Sequence, residues 1–197
     1  MGDYGTRTLR IANTSTPSEC STEGFSQTAC GFVIEFADVI TLHEMNDSST
    51  NIGGWPASSM YTFVNTDIYN ALPEELRDII IDTVVVSSHG SEETTNFVST
   101  DKLYLLAPTE IWSDWSNNCD TGMNTTRQLD YYKKQGVTTN NCSAAIKRSI
   151  NDGNYWWLRA ADFENNFSFF RVNTSGGWRY SYDSSSTDGV SPAFRIG

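Results

Sequence analysis

The two histidines are the first candidates for catalysis, because an imidazole can act as a general base near neutral pH. His89 lies in the run Ser87-Ser88-His89-Gly90-Ser91, the more suggestive of the two contexts. This run lacks the pattern of a nucleophile elbow. A histidine held by hydrogen bonds within a polar loop is the simpler interpretation. A hydrolytic or oxidative enzyme that uses His89 or loop carboxylates remains an alternative.

Acidic and amide side chains near the C-terminus raise the question of a calcium site. They are Asp162, Glu164, Asn165, Asn166, Asp183 and Asp188. None of them falls into the spacing of an EF-hand loop, so a polar, solvated loop is the better interpretation. The Gly53-Gly54 pair is not followed by the Lys and Ser/Thr of a phosphate-binding loop. We therefore expect no metal and no cofactor.

The four cysteines fall into two local pairs, Cys20 with Cys30 and Cys119 with Cys142. Each pair brackets a loop rich in Ser, Thr and Asn, which has little core of its own. A disulfide that closes such a loop stabilises a fold by roughly 2–4 kcal/mol. We predict these two disulfides, with four reduced and buried thiols as the alternative. The spacings do not resemble a zinc site.

Charge and hydropathy exclude two classes of partner. The 197 residues include 13 basic and 24 acidic side chains, for a net charge of −11. Such a chain is repelled by nucleic acid and by anionic membranes. No run of about 18 apolar residues is present, so we expect no membrane insertion. The first residues also lack the basic and apolar regions of a signal peptide.

The segment from Ala161 to Asp188 has an unusual composition. It contains no Leu, Ile, Met, Lys or Gln, and 18 of its 28 residues are Ser, Asn, Tyr, Phe or Asp. Tyr and Phe offer large contact areas at a low entropic cost, while Ser, Asn and Gly offer adaptable hydrogen bonds. This is the composition of a binding surface such as an antibody paratope.

Local patterns predict the elements that position this segment. Strands are expected at 6–13, 32–36, 39–42, 83–86, 102–106, 155–160, 167–172, 178–182 and 190–196, and helices from Pro56, from Pro73 and over 127–134. This order predicts an α+β fold. We expect one domain over 1–197, with N-terminal strands in 1–45, helices and loops in 46–154, and C-terminal strands with the unusual segment in 155–197.

Strand alternation predicts which residues face a partner. If Phe170 and Val172 point inward, then Phe167, Phe169 and Arg171 point outward. The Gly176-Gly177 turn brings the next strand alongside. The predicted ligand-binding residues are Asp162, Phe163, Asn165, Asn166, Phe167, Phe169, Arg171, Arg179, Tyr180, Tyr182 and Asp183. The flanking residues Trp156, Trp157, Leu158, Val190 and Phe194 are predicted to be buried.

Several short motifs also resemble a known family. They include Gly53-Gly54-Trp55-Pro56-Ala57-Ser58-Ser59-Met60, Leu72-Pro73, Asp101-Lys102-Leu103-Tyr104-Leu105-Leu106, Arg127-Gln128-Leu129-Asp130-Tyr131-Tyr132, Trp156-Trp157-Leu158-Arg159 and Gly189-Val190-Ser191-Pro192-Ala193-Phe194-Arg195-Ile196. From about residue 50 to 197 the chain resembles the C-type-lectin-fold variable proteins of diversity-generating retroelements. Ser191 stands where that family usually has Arg.

The resemblance implies a C-type-lectin-like fold with two helices packed on antiparallel sheets, a C-terminal β-hairpin and a final strand. In that family an error-prone reverse transcriptase rewrites adenines near the C-terminus, often in Asn codons. Such codons never yield Lys, Glu, Gln, Met or Trp, so Glu164 and Trp178 would be unvaried positions. No cysteine follows Cys142, which argues against the formylglycine-generating oxidases of the same fold.

Together these observations predict a ligand-binding protein, displayed on a virion or a cell surface, and no enzyme. Its ligand would be a protein or glycan on another cell or particle, and an oligomer is possible. The further alternative is a structural surface module whose C-terminal hairpin mediates self-assembly.

Ligand binding should not need calcium, because the calcium-binding tripeptides of sugar-binding lectins (Glu-Pro-Asn, Gln-Pro-Asp and Trp-Asn-Asp) do not occur in the sequence. Thermal melting with added CaCl₂ and with chelator should give the same midpoint. A midpoint that rises clearly with calcium and falls with chelator would contradict this expectation.

Overall fold

The computed structural model describes residues 1–149, 152–153 and 155–197 and shows an α+β protein dominated by antiparallel sheet. The strands, in chain order, are β1 (Leu9–Asn13), β2 (Val33–Phe36), β3 (Thr41–Glu44), β4 (Ile80–Ile81), β5 (Thr83–Ser87), β6 (Phe97–Asp101), β7 (Arg148–Ser149), β8 (Asp152–Gly153), β9 (Trp156–Ala161), β10 (Ser168–Val172), β11 (Trp178–Asp183), β12 (Thr187–Val190) and β13 (Ala193–Ile196).

The helices are short. They are α1 (Gly54–Ala57), α2 (Ser59–Phe63), α3 (Tyr69–Ala71), α4 (Glu74–Arg77), α5 (Pro108–Ile111) and α6 (Asp130–Lys134). A π-helical turn, Val64–Ile68, joins α2 to α3, and four 3₁₀ turns cover Gly2–Tyr4, Ser18–Ser21, Gln27–Ala29 and Ser143–Ala145.

Two sheets form the body of the fold. The first has the strand order β1-β2-β13-β4, so an N-terminal strand lies beside the last strand of the chain. The second has the order β11-β10-β9-β12-β3, with β9 at its centre. All six residues of β9 are buried, because both of its faces are covered. The remaining strands form two separate two-stranded ladders, β5-β6 and β7-β8.

The predicted burial of the motif residues is confirmed. Trp156, Trp157, Leu158, Val190 and Phe194 are all fully buried. They lie on β9 and β12, which are neighbours in the second sheet, and on β13 in the first sheet. The sequence motifs that flank the unusual segment therefore lie in the hydrophobic core.

The helix predicted from Pro56 is present as a series of short helical segments. The spacing of Met60, Val64 and Ile68 predicts one apolar side for this helix, and all three residues are inaccessible to solvent. The sequence predicts that the helix from Pro73 has Leu76, Ile79 and Ile80 on its inner side, which is partly wrong because α4 is a single turn that ends at Arg77. Ile79 is therefore exposed, whereas Ile80 is buried in β4, which pairs with β13.

The strand predicted over 102–106 is absent, and a strand that the sequence did not predict, β6 (Phe97–Asp101), lies just before it. β6 pairs with β5 in a hairpin, from Thr83 opposite Asp101 to Ser87 opposite Phe97. The 102–106 segment is mostly buried coil, and Asn65 Oδ1 accepts hydrogen bonds from the first two of its backbone N–H groups at 3.1 and 2.9 Å. The apolar residues of this segment are buried as their type indicates, but a buried segment can be coil as well as strand.

One of the two predicted disulfides is present. Cys20 and Cys30 are bonded, whereas Cys119 and Cys142 are free thiols. Cys119 O accepts a hydrogen bond from Phe163 N, just before β10, and Cys142 Sγ lies 3.6 Å from Ser175 O, just after it. A five-residue strand spans about 16 Å. The Cys119–Cys142 prediction is therefore wrong because the two residues lie near opposite ends of β10.

A buried ion pair joins the second sheet to the rest of the core. Arg159 on β9 donates from Nη1 and Nη2 to the two carboxylate oxygens of Glu110 on α5, at 2.8 and 2.7 Å. Its remaining N–H groups bind Val86 O, Leu105 O and Thr28 Oγ1. Both side chains are fully inaccessible, so every donor of the guanidinium is matched inside the protein.

A second buried network lies behind the first sheet. Glu35 on β2 accepts hydrogen bonds from Lys147 Nζ at 2.7 Å, from Arg10 Nε at 2.9 Å and from Tyr132 Oη at 3.0 Å. Burial alone would raise the pKa of Glu35, but the charges of Lys147 and Arg10 lower it below its ordinary value. Lys147 also donates to Ser191 Oγ, so this ammonium contacts the residue that stands where the similar family has Arg.

Replacing Arg159 with Met should lower the free energy of unfolding by about 3–5 kcal/mol, because the Glu110 carboxylate is left buried without its cation. The double variant Arg159→Met/Glu110→Leu should recover part of that loss. The control is Asp82→Ala, which breaks the exposed Lys102–Asp82 pair and should cost under about 1 kcal/mol. Urea unfolding measures all three, and equal effects of Arg159→Met and Asp82→Ala would contradict the role of the buried pair.

Candidate functional site

The loop between β9 and β10 is shaped by the carboxylate of Asp162. This side chain is 7 % exposed and accepts hydrogen bonds from Glu164 N at 2.9 Å and from Asn165 Nδ2 at 2.8 Å. The hydroxyl of Ser181 on β11 also donates to it. Asp162 was predicted to contact a ligand, but its oxygens are engaged within the protein and hold the loop against β11.

Asn165 closes the other side of the same loop. Its Oδ1 accepts hydrogen bonds from Phe167 N at 3.0 Å, Ser168 N at 2.8 Å and Ser168 Oγ at 2.7 Å. Asn is favoured in turns because its side chain accepts hydrogen bonds from backbone N–H groups two or three residues later in this way. Asn165, another predicted ligand contact, therefore uses its side chain to fix the start of β10.

A fully buried residue from a distant part of the chain clamps this loop from below. Asn51 Nδ2 lies within hydrogen-bond distance of the carbonyl oxygens of Asp162, Asn165 and Ser168, at 3.1, 3.1 and 3.0 Å. The Asn51 backbone N–H donates to Asn166 O at 2.8 Å. Nothing in the sequence singles out Asn51, because its partners lie more than 110 residues away.

Gly90 allows Asn51 to occupy this position. A Cβ atom added at Gly90 would lie 2.2 Å from Asn51 Oδ1, which is far inside van der Waals contact. The residue after it, Ser91, donates its backbone N–H to Asn165 O at 3.1 Å. The segment that carries His89 is thus part of the support of the loop.

Above this support, aromatic rings are exposed to solvent. Phe163 is 43 % exposed, Phe167 is 44 % exposed and Tyr182 is 44 % exposed, and Asn166 beside them is also exposed. Ser168 pairs with Asp183, so Phe167 and Tyr182 are diagonal neighbours across the ladder, which are about 7–8 Å apart. We call Phe163, Asn166, Phe167 and Tyr182 the aromatic surface.

The predicted outward position of Phe169 is wrong, and Arg171 is also buried. Phe169 is fully inaccessible and Arg171 is 7 % exposed. A bulge falls between these two residues in the pairing of β10 with both β9 and β11, which breaks the alternation on which the prediction depended. The neighbouring Phe170 is buried too, with its ring edge-on to Trp115.

Arg171 supports the aromatic surface from within. Its Nη1 lies 2.5 Å from Asp188 Oδ2, and its guanidinium carbon lies 3.5 Å from the centre of the Tyr182 ring and 4.1 Å from that of Tyr155. Burial raises the pKa of Asp188, and the arginine opposes this. Cation–π contact of this kind positions the Tyr182 ring.

Asp183 is likewise engaged with the protein itself. Its Oδ1 accepts hydrogen bonds from Ser185 N and Ser185 Oγ, and its Oδ2 accepts one from Ser49 Oγ at 2.8 Å. Burial would raise the pKa of Asp183, but these hydrogen bonds lower it. The remaining predicted residues, Arg179 and Tyr180, have backbone positions in β11, but their side chains lie outside the described part of the structure.

Histidine and cysteine are the most reactive side-chain types near this loop. His89 and Cys119 both contact residues of the loop and help to hold it in place. His89 is 6 % exposed, its Nδ1 lies 2.8 Å from Gly90 O, and its ring is edge-on to Phe163. Burial, a hydrogen bond with Glu164 and the charge of Asp162 raise the pKa of the Cys119 thiol to about 11. Such a thiol is a poor nucleophile at neutral pH.

Within 1–149, 152–153 and 155–197, no three side chains of His, Cys, Asp or Glu come together as a metal site would require. In the same ranges, none of the helices combines the length and the apolar character that crossing a bilayer demands.

Comparison with known families gives a match that includes the aromatic surface. The family model for a domain of unknown function, DUF6273, matches residues 33–197. The chain belongs to this family. The matched region begins at β2, so the DUF6273 domain includes both sheets apart from β1, whereas the Cys20–Cys30 disulfide precedes it. Neither the curated proteins nor the solved structures contain a match to this chain.

Replacing Asn51 with Ala should destabilise the DUF6273 domain by a few kcal/mol, because the carbonyl groups of Asp162, Asn165 and Ser168 each lose one of their two donors and a buried side chain is removed. The loop from Asp162 to Phe167 should also become more sensitive to limited proteolysis. The matched control is Asn166→Ala on the surface, which should change neither the urea midpoint nor the cleavage rate. If the Asn51→Ala variant has the urea midpoint and the cleavage rate of the wild type, the hydrogen bonds of Asn51 are not needed to hold the loop.

Proposed function

We propose that this protein is a ligand-binding protein that recognises its partner through the aromatic surface. The observation that carries the proposal is the exposure of Phe163, Phe167 and Tyr182 on a loop and strand whose backbone is fixed from below. Isolated exposed apolar residues are common on proteins. Three large rings at one end of a hairpin, each more than two-fifths exposed, are typical of an interaction site.

The energetics of binding favour this arrangement. Covering the exposed part of an aromatic ring removes apolar area from water, and Tyr is enriched among the residues that dominate binding energy. Ordering a flexible loop would oppose association. Because Asp162, Asn165 and Asn51 already fix the loop, little of that cost remains on binding.

The charge around the surface narrows the class of partner. Glu164 and Glu92 are exposed beside the aromatic rings, and Asn166 Nδ2 lies 3.4 Å from Glu92 Oε1. With a net charge of −11, the chain disfavours nucleic acid and other polyanions. The ligand we propose is a protein or glycan on another cell or particle. The Cys20–Cys30 disulfide supports an extracellular, virion-surface or cell-surface location.

We further propose that the fold is a C-type-lectin-like variant and that a retroelement diversifies its surface. The pairing of β2 with β13 brings the beginning and end of the matched region together, and the Trp-Trp-Leu-Arg and Gly-Val-Ser-Pro-Ala-Phe motifs lie in the core. Asn166, Phe167 and Tyr182 are exposed and belong to the residue types that varied Asn codons produce. A near-copy of the 155–197 coding segment beside a reverse transcriptase gene, with mismatches only at adenines, would support diversification.

Substitutions of exposed aromatic residues should reduce the binding affinity, whereas substitutions of buried aromatic residues should reduce the stability of the fold. Phe167→Ala and Tyr182→Ala should leave the melting temperature nearly unchanged and weaken binding tenfold or more, because contact area is lost only in the complex. Phe169→Ala should instead cost roughly 3–5 kcal/mol of stability. Affinity is measured for a ligand selected from an array of cell-surface proteins and glycans.

The control for this experiment is Val98→Ala, an exposed apolar residue on β6. It should change neither the melting temperature nor the affinity. Full affinity in both Phe167→Ala and Tyr182→Ala, or an array on which the protein binds nothing, would contradict the proposed function.

A further inference from the structure

The edge of the first sheet carries a second exposed apolar surface. β1 is the outermost strand of this sheet, and its alternate residues Leu9 and Ile11 are 39 % and 54 % exposed. They lie opposite Phe36 and Ile34 of β2, so the four apolar side chains share one face of the sheet. No residue of the aromatic surface belongs to this sheet, so the two surfaces are separate.

The backbone groups of Leu9 and Ile11 point away from the sheet. Thr8 O accepts a hydrogen bond from Ala37 N, so these two residues form a hydrogen-bonded pair. Hydrogen-bonded and non-hydrogen-bonded pairs alternate along an antiparallel ladder. Arg10 therefore bonds to β2, whereas the N–H and C=O groups of Leu9 and Ile11 lie on the open side of β1. Among the described residues, no other hydrogen bond to these four groups is present.

A cavity opens beside Leu9. Its volume is about 240 Å³, and its lining includes Leu9, Phe36, Leu72 and Leu76. This volume is below the range of about 300–1,000 Å³ that is usual for small-molecule sites. The cavity is therefore better suited to a single apolar side chain from another protein surface than to a small ligand.

A second copy of the chain fits this edge with two-fold symmetry. If two β1 strands pair antiparallel about Arg10, Leu9 of each copy lies opposite Ile11 of the other. The N–H and C=O groups of both residues are free, so the two pairs complete each other's hydrogen bonds. Each exposed Ile11 side chain is also placed beside Leu9 of the other copy, at the cavity that Leu9 lines. The surface is thus self-complementary, as a two-fold interface must be.

The distribution of charge also favours this edge for contact between two copies. Each chain has a net charge of −11, so two copies repel each other over most of their surfaces. No Asp or Glu occurs in residues 4–18, which include β1. At the centre of the pairing, Arg10 of each copy lies 2.8 Å from its own Glu35 and against its own Tyr131 ring. Its charge is therefore balanced within each copy.

We propose that the protein forms a two-fold symmetric dimer in which the β1 strands of two copies pair and their four-stranded sheets join. Each copy uses its β1 edge once, so the assembly closes as a dimer. The contact is small, because one short strand and a few apolar side chains form it. We therefore expect a reversible dimer with a dissociation constant in the micromolar range.

Sedimentation equilibrium of the full chain from about 1 to 300 µM tests for the dimer. The average mass should rise from 22.0 kDa towards twice that value. Ile11→Lys places a charge in the apolar contact and should weaken the dimer at least about tenfold, with thermal melting used to confirm that the variant is folded. The matched control is Val98→Lys, at an exposed apolar residue of β6, which should leave the dimer unchanged. Tyr182→Ala on the aromatic surface should also have no effect.

Cysteine substitutions test the register of the pairing. Positions 9 and 11 of different copies form a hydrogen-bonded pair, with Cα atoms about 5.5 Å apart, which a disulfide can span. A mixture of Leu9→Cys and Ile11→Cys chains should therefore become linked on oxidation, and mass spectrometry of a non-reduced digest should find the 9–11 link. Either variant alone should form little of its own link, because identical positions are diagonal neighbours about 7–8 Å apart.

The proposal is overturned if the protein stays monomeric over the whole concentration range. It is also overturned if the protein dimerises but Ile11→Lys dimerises equally well, which is the result expected if the C-terminal hairpin mediates self-assembly. A dimer that is sensitive to Ile11→Lys but forms no 9–11 link on mixing would contradict the two-fold pairing of β1.

Discussion

The buried pair between Arg159 and Glu110 is the interaction on which the rest of the structure depends. A charged pair removed from water is stabilising only when its geometry is good and every remaining donor and acceptor is satisfied. Here the guanidinium binds the carboxylate through two nitrogens and also reaches the carbonyl groups of Val86 and Leu105. Glu110 in turn accepts from the backbone N–H of Ala107 and from Thr126. One cation thus fixes β9 relative to β5, α5 and the loop before α6.

The position of β9 decides where the aromatic surface lies. β9 is the central strand of its sheet, and the loop from Asp162 to Phe167 begins as soon as the strand ends. The polar side chains of that loop bind its own backbone, and Asn51 holds it from below. As a result, the side chains of Asp162 and Asn165 bind within the protein while Phe163 and Phe167 are exposed, which reverses the usual division between core and surface at these four positions. This reversal is the structural basis of the proposed binding function.

The sequence was sufficient for much of the fold and for part of the site. The β-branched and aromatic runs located most strands, and the burial of Trp156 and Phe194 followed from the motifs. Alternation failed at Phe169, because the bulge before Arg171 and a sheet covered on both faces cannot be seen in a local pattern.

Composition had a second limit. It identified a segment rich in residues that can bind a partner, but the same residue types bind their own backbone. Asp162, Asn165 and Asp183 do the latter. Contacts between distant residues, such as those of Asn51, and the separation of Cys119 from Cys142 depend on the folded arrangement and leave no signal in the local sequence.

A saturation mutational scan over 161–188, sorted for protease resistance on a display system, tests this division of the segment most directly. We expect Phe163, Asn166, Phe167, Tyr182 and Ser185 to accept nearly all substitutions without loss of folding, because they are exposed. Asp162, Asn165, Phe169, Arg171 and Ser184 should accept very few. If the two sets tolerate substitution to the same extent, the claim that the first set forms an exchangeable surface and the second set holds it in place is contradicted.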